Sequence, residues 1–101
     1  MHAVLDRISL EAPARLVAET RVDFRAAAME CLERARQLGA GELRIDMSAT
    51  EEVDASGLGT LVVLQKRARA CGVTTRLCST QTRVHHLLAI TRLDTLFLFD
   101  G

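Results

Sequence analysis

Residues 46–59 read Asp-Met-Ser-Ala-Thr-Glu-Glu-Val-Asp-Ala-Ser-Gly-Leu-Gly. Leading into this stretch, Leu43, Ile45 and Met47 alternate with the charged Arg44 and Asp46, which is typical of a strand with one buried face. From Leu58 onward, apolar residues recur at helical spacing. The stretch therefore predicts a strand, a polar loop and the beginning of a helix.

The pair Ser56-Gly57 falls where this loop meets the helix. Serine is a good helix cap, and glycine allows the chain to turn sharply. The start of a helix also offers unpaired N–H groups and the positive end of the helix dipole, which tolerate a phosphate. A phosphate on Ser56 would add a charge of about −1.5 to −2 beside Asp54. From these residues alone, Ser56 is either a helix cap or a phosphorylation switch.

The remaining sequence predicts further strands and helices. In chain order they are a strand at 4–10, a short apolar segment at 14–18, a helix at 20–39, a strand at 43–47, a helix from 58 to 72, a strand at 73–78, a helix at 80–89 and a strand at 96–99. Pro13 separates the first two segments, as in a hairpin. The first helix carries one apolar stripe: Phe24, Ala28, Cys31, Ala35 and Leu38. From the third strand onward strands and helices alternate, which predicts an α/β fold with a small mixed, mostly parallel sheet and helices packed mainly on one face.

Length and charge limit the classes of function. A chain of 101 residues predicts a single domain over 1–101. Basic and acidic side chains number 13 each, so the basic surface of a nucleic-acid-binding protein is not expected. No apolar run is long enough to span a bilayer, so we expect no direct membrane insertion. The charged residues Asp6, Arg7 and Glu11 argue against a signal peptide, and we expect a cytoplasmic protein.

Few residues are available for enzyme or metal chemistry. The three cysteines fall in no Cys-x-x-Cys pair and are expected to be reduced thiols. His85 and His86 are adjacent, so they cannot bind one metal ion together from the same helix face. No nucleophile–base set and no Gly-rich phosphate loop is present. We therefore expect no enzyme activity, no cofactor and no metal site.

The central stretch resembles the signature of the STAS domain family. That signature has an Asp at a strand end, a small residue or Ser two positions on, and then Asp-Ser-Ser-Gly-Leu-Gly at the start of a helix. Asp46 and Ser48 match its first part. Its second part is matched by Asp54, Ser56, Gly57, Leu58 and Gly59. The predicted order of strands and helices also matches, so the resemblance covers nearly the whole chain.

The resemblance implies an anti-sigma factor antagonist. In these proteins the serine just before the glycine is phosphorylated, and that position here is Ser56. The unphosphorylated antagonist binds an anti-sigma factor that is also an ATP-dependent serine kinase, phosphorylation releases it, and a serine phosphatase resets it. An alternative is a STAS subunit that binds the ATPase of a phospholipid-trafficking ABC transporter. Those subunits often carry the hydroxyl one position earlier, where this chain has Ala55.

Two further possibilities are a STAS module of a larger signalling assembly and an enzyme. The chain also departs from many antagonists at residues 18–23, where the glycine of a Gly-Glu-Leu-Asp turn is missing, and many relatives continue into a helix after the last strand, whereas the given sequence stops at Gly101. A second copy of the chain could pair along the edge near Phe97 and Phe99, or packing could cover that edge.

The resemblance and helical geometry together predict a partner surface around Ser56. The residues assigned to it are Ser48, Asp54, Ser56, Gly57, Gly59, Thr60, Val63 and Arg67. For Val63, packing against a neighbouring helix is an equal alternative. Asp46 and Asp54 could orient a metal–nucleotide complex of the kinase, but loop hydrogen bonds and helix capping are alternative roles, and for Asp46 the loop role is favoured.

Overall fold

The computed structural model describes residues 7–100. Its elements in chain order are β1 Arg7–Glu11, β2 Arg15–Leu16, α1 Arg21–Leu38, β3 Glu42–Asp46, β4 Glu52–Val53, α2 Ala55–Ala70, β5 Thr74–Cys78, α3 Thr82–Ile90 and β6 Leu98–Asp100, with a 3₁₀ turn at Leu93–Leu96. Positions 4–6 of the first predicted strand lie outside the described residues. Helix α2 begins at Ala55, three residues earlier than the apolar periodicity indicates.

The main sheet is parallel throughout the described strands. Its order is β1-β3-β5-β6, and each neighbouring pair is parallel. The predicted α/β fold with a mostly parallel sheet is therefore confirmed. Because parallel neighbours need a crossover connection, α1, α2 and α3 each belong to a segment that returns the chain to the same end of the sheet.

The predicted hairpin around Pro13 is wrong. Strand β2 pairs in parallel with β4, with Leu16 opposite Val53, and the two form a separate small sheet. Pro13 has no N–H to donate to a ladder, and its carbonyl accepts a hydrogen bond from the Thr50 hydroxyl at 2.8 Å. The Glu51 N–H donates to the Ala14 carbonyl at 2.8 Å. Residues 13 and 14 are therefore hydrogen-bonded to the loop after β3 instead of folding back along β1.

The hydrophobic core lies on one face of the main sheet. Leu43, Ile45 and Met47 are fully buried there, as the alternation predicts. Helix α1 contributes four buried residues to the core: Phe24, Ala28, Leu32 and Ala35. The predicted stripe is therefore partly wrong, since Cys31 is only half-buried and Leu38 is 52% exposed. At 100° per residue, Leu38 falls about 80° from the centre of the buried arc, whereas Leu32 falls within it.

The opposite face of the sheet is polar. Arg44 lies between Asp100 and Glu42, and the Arg76 Nε donates to a Glu42 carboxylate oxygen at 2.9 Å. At the last strand, Phe97 is buried and Phe99 is half-buried and stacked on the imidazole of the exposed His85, while Leu98 is 45% exposed on this outer strand of the sheet. Within residues 7–100, no helix combines the length and apolar character needed to cross a bilayer.

Candidate functional site

Asp54 is the N-cap of helix α2. One of its carboxylate oxygens accepts a hydrogen bond from the Gly57 N–H at 2.9 Å. The interpretation of Ser56 as the helix cap is therefore wrong, because Ser56 is the second residue inside the helix. The Gly57 N–H, together with those of Ala18 and Ser56, holds the pKa of Asp54 below its usual range.

The same carboxylate connects α2 to the turn between β2 and α1. Its second oxygen accepts from the Ala18 N–H at 3.1 Å, and the Asp54 N–H donates to the Leu16 carbonyl at 3.3 Å. Sequence reasoning missed this contribution of residues 16–18, because it comes from backbone groups and leaves no signal in side-chain type.

Thr20 stabilises that turn instead of capping α1. Its hydroxyl donates to the Arg15 carbonyl at 2.6 Å and accepts from the Val17 N–H at 3.0 Å. It makes no side-chain cap bond to the helix. The start of α2 is thus anchored on a turn that is itself held by side-chain hydrogen bonds.

Gly57 allows helix α2 to approach β2 closely. A Cβ placed on Gly57 would lie 2.0 Å from the Leu16 carbonyl oxygen and 3.0 Å from Cγ1 of Val53. Gly57 does not adopt a positive φ, unlike Gly39 and Gly72. The expectation that it serves a sharp turn is wrong, and the glycine is required because no space exists for a side chain.

Ser56 is half-buried in the first turn of α2. Its backbone carbonyl accepts a hydrogen bond from the Thr60 hydroxyl at 2.9 Å. Thr60 is 8% exposed, so its predicted place on the partner surface is wrong: its hydroxyl is engaged within the helix. Gly57 is also buried, against β2, so its predicted place on the partner surface is wrong as well.

The other predicted surface residues of α2 are accessible. Gly59 and Arg67 are exposed and Val63 is half-buried. A Cβ on Gly59 would meet nothing within 4 Å, so the fold itself does not require glycine there. Together with Ser56, these residues form an accessible face that runs along the helix.

Ser48 is exposed in the loop after β3. Its N–H donates to a carboxylate oxygen of Asp46 at 2.9 Å, and this hydrogen bond lowers the pKa of Asp46. Its carbonyl accepts from the Gln81 amide at 2.9 Å, so Ser48 is connected to the start of α3. Asp46 thus has the loop hydrogen-bonding role that its position favoured.

The residues that the structure describes contain no group of three or more side chains suited to hold a metal ion.

The family model of the STAS domain matches residues 8–100. The chain belongs to the STAS domain family. Comparison with curated protein sequences finds no match.

Solved structures share this STAS fold at low sequence identity. A proposed anti-sigma factor antagonist from Thermotoga maritima is 23% identical with a TM-score of 0.81, and the match covers 95% of this chain and 80% of that one. The anti-sigma factor antagonist SpoIIAA in its unphosphorylated form is 10% identical with a TM-score of 0.66, covering 100% and 84%. A sulfate transporter family protein from Wolinella succinogenes is 15% identical with a TM-score of 0.77, covering 94% and 77%.

The charges around the start of α2 disfavour an added anion. A helix start attracts anions through its free N–H groups, but here the Asp54 carboxylate already accepts from the Gly57 N–H. The nearby Arg15 pairs with Glu52 at 3.0 Å and lies in the field of Glu19 and Asp54. An added anion at Ser56 would therefore face a carboxylate and a guanidinium that is already paired.

Proposed function

We propose that this STAS domain is an anti-sigma factor antagonist whose release from its partner is controlled by phosphorylation of Ser56. The observation that carries the proposal is the position of Ser56. It is half-buried in the first turn of α2, two residues after Asp54, whose carboxylate accepts a hydrogen bond from the Gly57 N–H. A phosphate there would lie two residues from the Asp54 carboxylate, and the nearby Arg15 is already paired with Glu52, so its charge would act on a bound partner. Placing a dianion in an interface without a cationic partner costs desolvation and repulsion.

The partner in this proposal is an anti-sigma factor that is also an ATP-binding serine kinase. A serine phosphatase would restore the unphosphorylated state, and the domain itself would act by binding, in the cytoplasm, without enzyme activity. The fold similarity to anti-sigma factor antagonists supports this assignment of the partner class. A coupling of about 1–3 kcal/mol between phosphate and partner would change affinity by about 5–150-fold.

Phosphate incorporation tests the proposal directly. Wild-type protein, Ser56→Ala and Ser9→Ala would be incubated with ATP and native lysate, and the modified residue would be mapped by mass spectrometry. Ser9→Ala is the matched control because Ser9 is an exposed serine on β1 outside the predicted partner surface. We expect phosphate on wild type and Ser9→Ala but not on Ser56→Ala. Continued incorporation in Ser56→Ala would contradict the assignment.

Affinity capture with wild-type and Ser56→Asp baits then identifies the partner class. An ATP-binding kinase retained by wild type and lost from Ser56→Asp is the expected result. Capture of an ABC-transporter ATPase by both baits would instead support the phospholipid-trafficking alternative, with Ser56 playing no regulatory part.

A further inference from the structure

The carboxyl-terminal half of α2 carries a cluster of exposed cations. Lys66, Arg67 and Arg69 are all exposed, and residues 55–70 contain no acidic side chain. Among the described residues, none of these three side chains forms an ion pair or a hydrogen bond. Among the described residues only Arg15, Arg36, Arg44 and Arg76 pair with a carboxylate, so the cluster is distinguished not by lacking partners but by placing three exposed cations within four residues of an acid-free helix. The formal net charge of zero therefore conceals a local excess of positive charge.

The helix dipole explains only part of this cluster. Cations stabilise the last turn of a helix, and Arg67 and Arg69 lie in that turn. Lys66 precedes the last turn, and the dipole's effect falls off beyond it. The opposite end of the helix is acidic, with Glu51 and Asp54 just before its start. The two ends of α2 thus differ in sign.

The cluster lies within reach of a partner that covers Ser56. At 1.5 Å per residue, Arg67 is about 16 Å along the helix from Ser56. An interface of standard size buries about 800 Å² per partner, which corresponds to a patch roughly 30 Å across. The surface between the two ends is formed by the exposed Gly59 and the half-buried Val62 and Val63. An apolar centre with a charged rim is the usual anatomy of a protein interface.

We propose that Lys66 and Arg67 form a second, electrostatic subsite for the same partner and that they bind an acidic patch on it. This inference rests on the proposed function, since it deepens the description of the Ser56 partner. The acidic start and basic end of α2 then fix the direction in which the partner lies along the helix. The cation subsite supplies association rate and orientation, while Ser56 carries the switch.

The test uses the purified kinase captured with the wild-type bait as the probe, in surface plasmon resonance at about 50 and 300 mM salt. Lys66→Glu/Arg67→Glu reverses the subsite, and Lys66→Gln/Arg67→Gln neutralises it with less effect on the helix. The matched control is Arg25→Glu/Arg34→Glu, which makes the same charge change at exposed positions of α1. Circular dichroism would confirm that each variant is folded.

We expect the reversal to weaken binding about tenfold or more at low salt, mainly through a slower association rate, and by less at high salt. The neutral variant should show a smaller loss in the same direction, and the α1 control should bind within about twofold of wild type. Equal binding by the reversed variant and the α1 control would overturn the inference while leaving the Ser56 switch intact. Failure of wild type to bind any kinase would overturn both proposals.

Discussion

Helices α2 and α3 both follow a strand, and both carry a hydroxyl-bearing residue in their first turn, yet their starts are built differently. The α2 start is capped by the Asp54 side chain, which is also bonded to Ala18. At the α3 start, Gln81 occupies the cap position without a cap bond, and its amide is used by the Ser48 carbonyl. The α2 start is therefore fixed to the turn between β2 and α1 by a side-chain cap, whereas the α3 start has one side-chain hydrogen bond, from Gln81 to the loop after β3.

The largest expected effect concerns Gly57, in the first turn of α2. Gly57→Ala would place a methyl group 2.0 Å from the Leu16 carbonyl oxygen, so the helix or β2 must shift. We expect a loss of about 3 kcal/mol in unfolding free energy, measured by urea denaturation.

Gly59→Ala is the matched control for that variant. Its added methyl group meets nothing within 4 Å, and alanine favours a helix by up to about 1 kcal/mol over glycine. Gly59→Ala should therefore be as stable as wild type or more so. Equal destabilisation by both alanines would show that close packing against β2 is not what requires Gly57.

A smaller effect is expected from the caps themselves. Asp54→Ala removes the bonds to Gly57 and Ala18, whereas Gln81→Ala removes only one bond to the Ser48 carbonyl. We expect Asp54→Ala to lower the urea midpoint clearly and Gln81→Ala to lower it less. The reverse order of midpoints would contradict the view of α2 as the more firmly anchored start.

The smallest effect is a dependence on pH. The pKa of Asp54 is lower in the folded protein than in the unfolded chain. Its contribution to stability is therefore present above the unfolded value of about 4 and is lost as pH falls through the folded pKa. As pH falls below about 5, the urea midpoint of Asp54→Asn should therefore decrease less than that of wild type. Parallel pH profiles would show that this carboxylate does not contribute.

The sequence predicted the elements that have a strong pattern of their own. Leu43, Ile45 and Met47 alternate because one face of β3 is buried, and Gly39 ends α1 in the left-handed conformation that favours glycine. The two-residue strands β2 and β4 are too short to show any periodicity, so their pairing could not be predicted.

At the site, the sequence identified the segment but not the roles within it. Asp54 and Ser56 are both good capping residues, and only the hydrogen bond to Gly57 distinguishes them. The requirement for Gly57 and the burial of Thr60 depend on where β2 and the core lie, which is long-range information.

The most direct test of the switch compares phosphate at the two helix starts. Phosphoserine would be installed at Ser56 or at the exposed Ser79 before α3, and the affinity of each protein for the captured kinase would be measured by calorimetry. We expect phosphoserine at 56 to weaken binding about tenfold or more, and phosphoserine at 79 to change it much less. Unchanged affinity with phosphoserine at 56 would contradict the proposal that charge on Ser56 releases the partner.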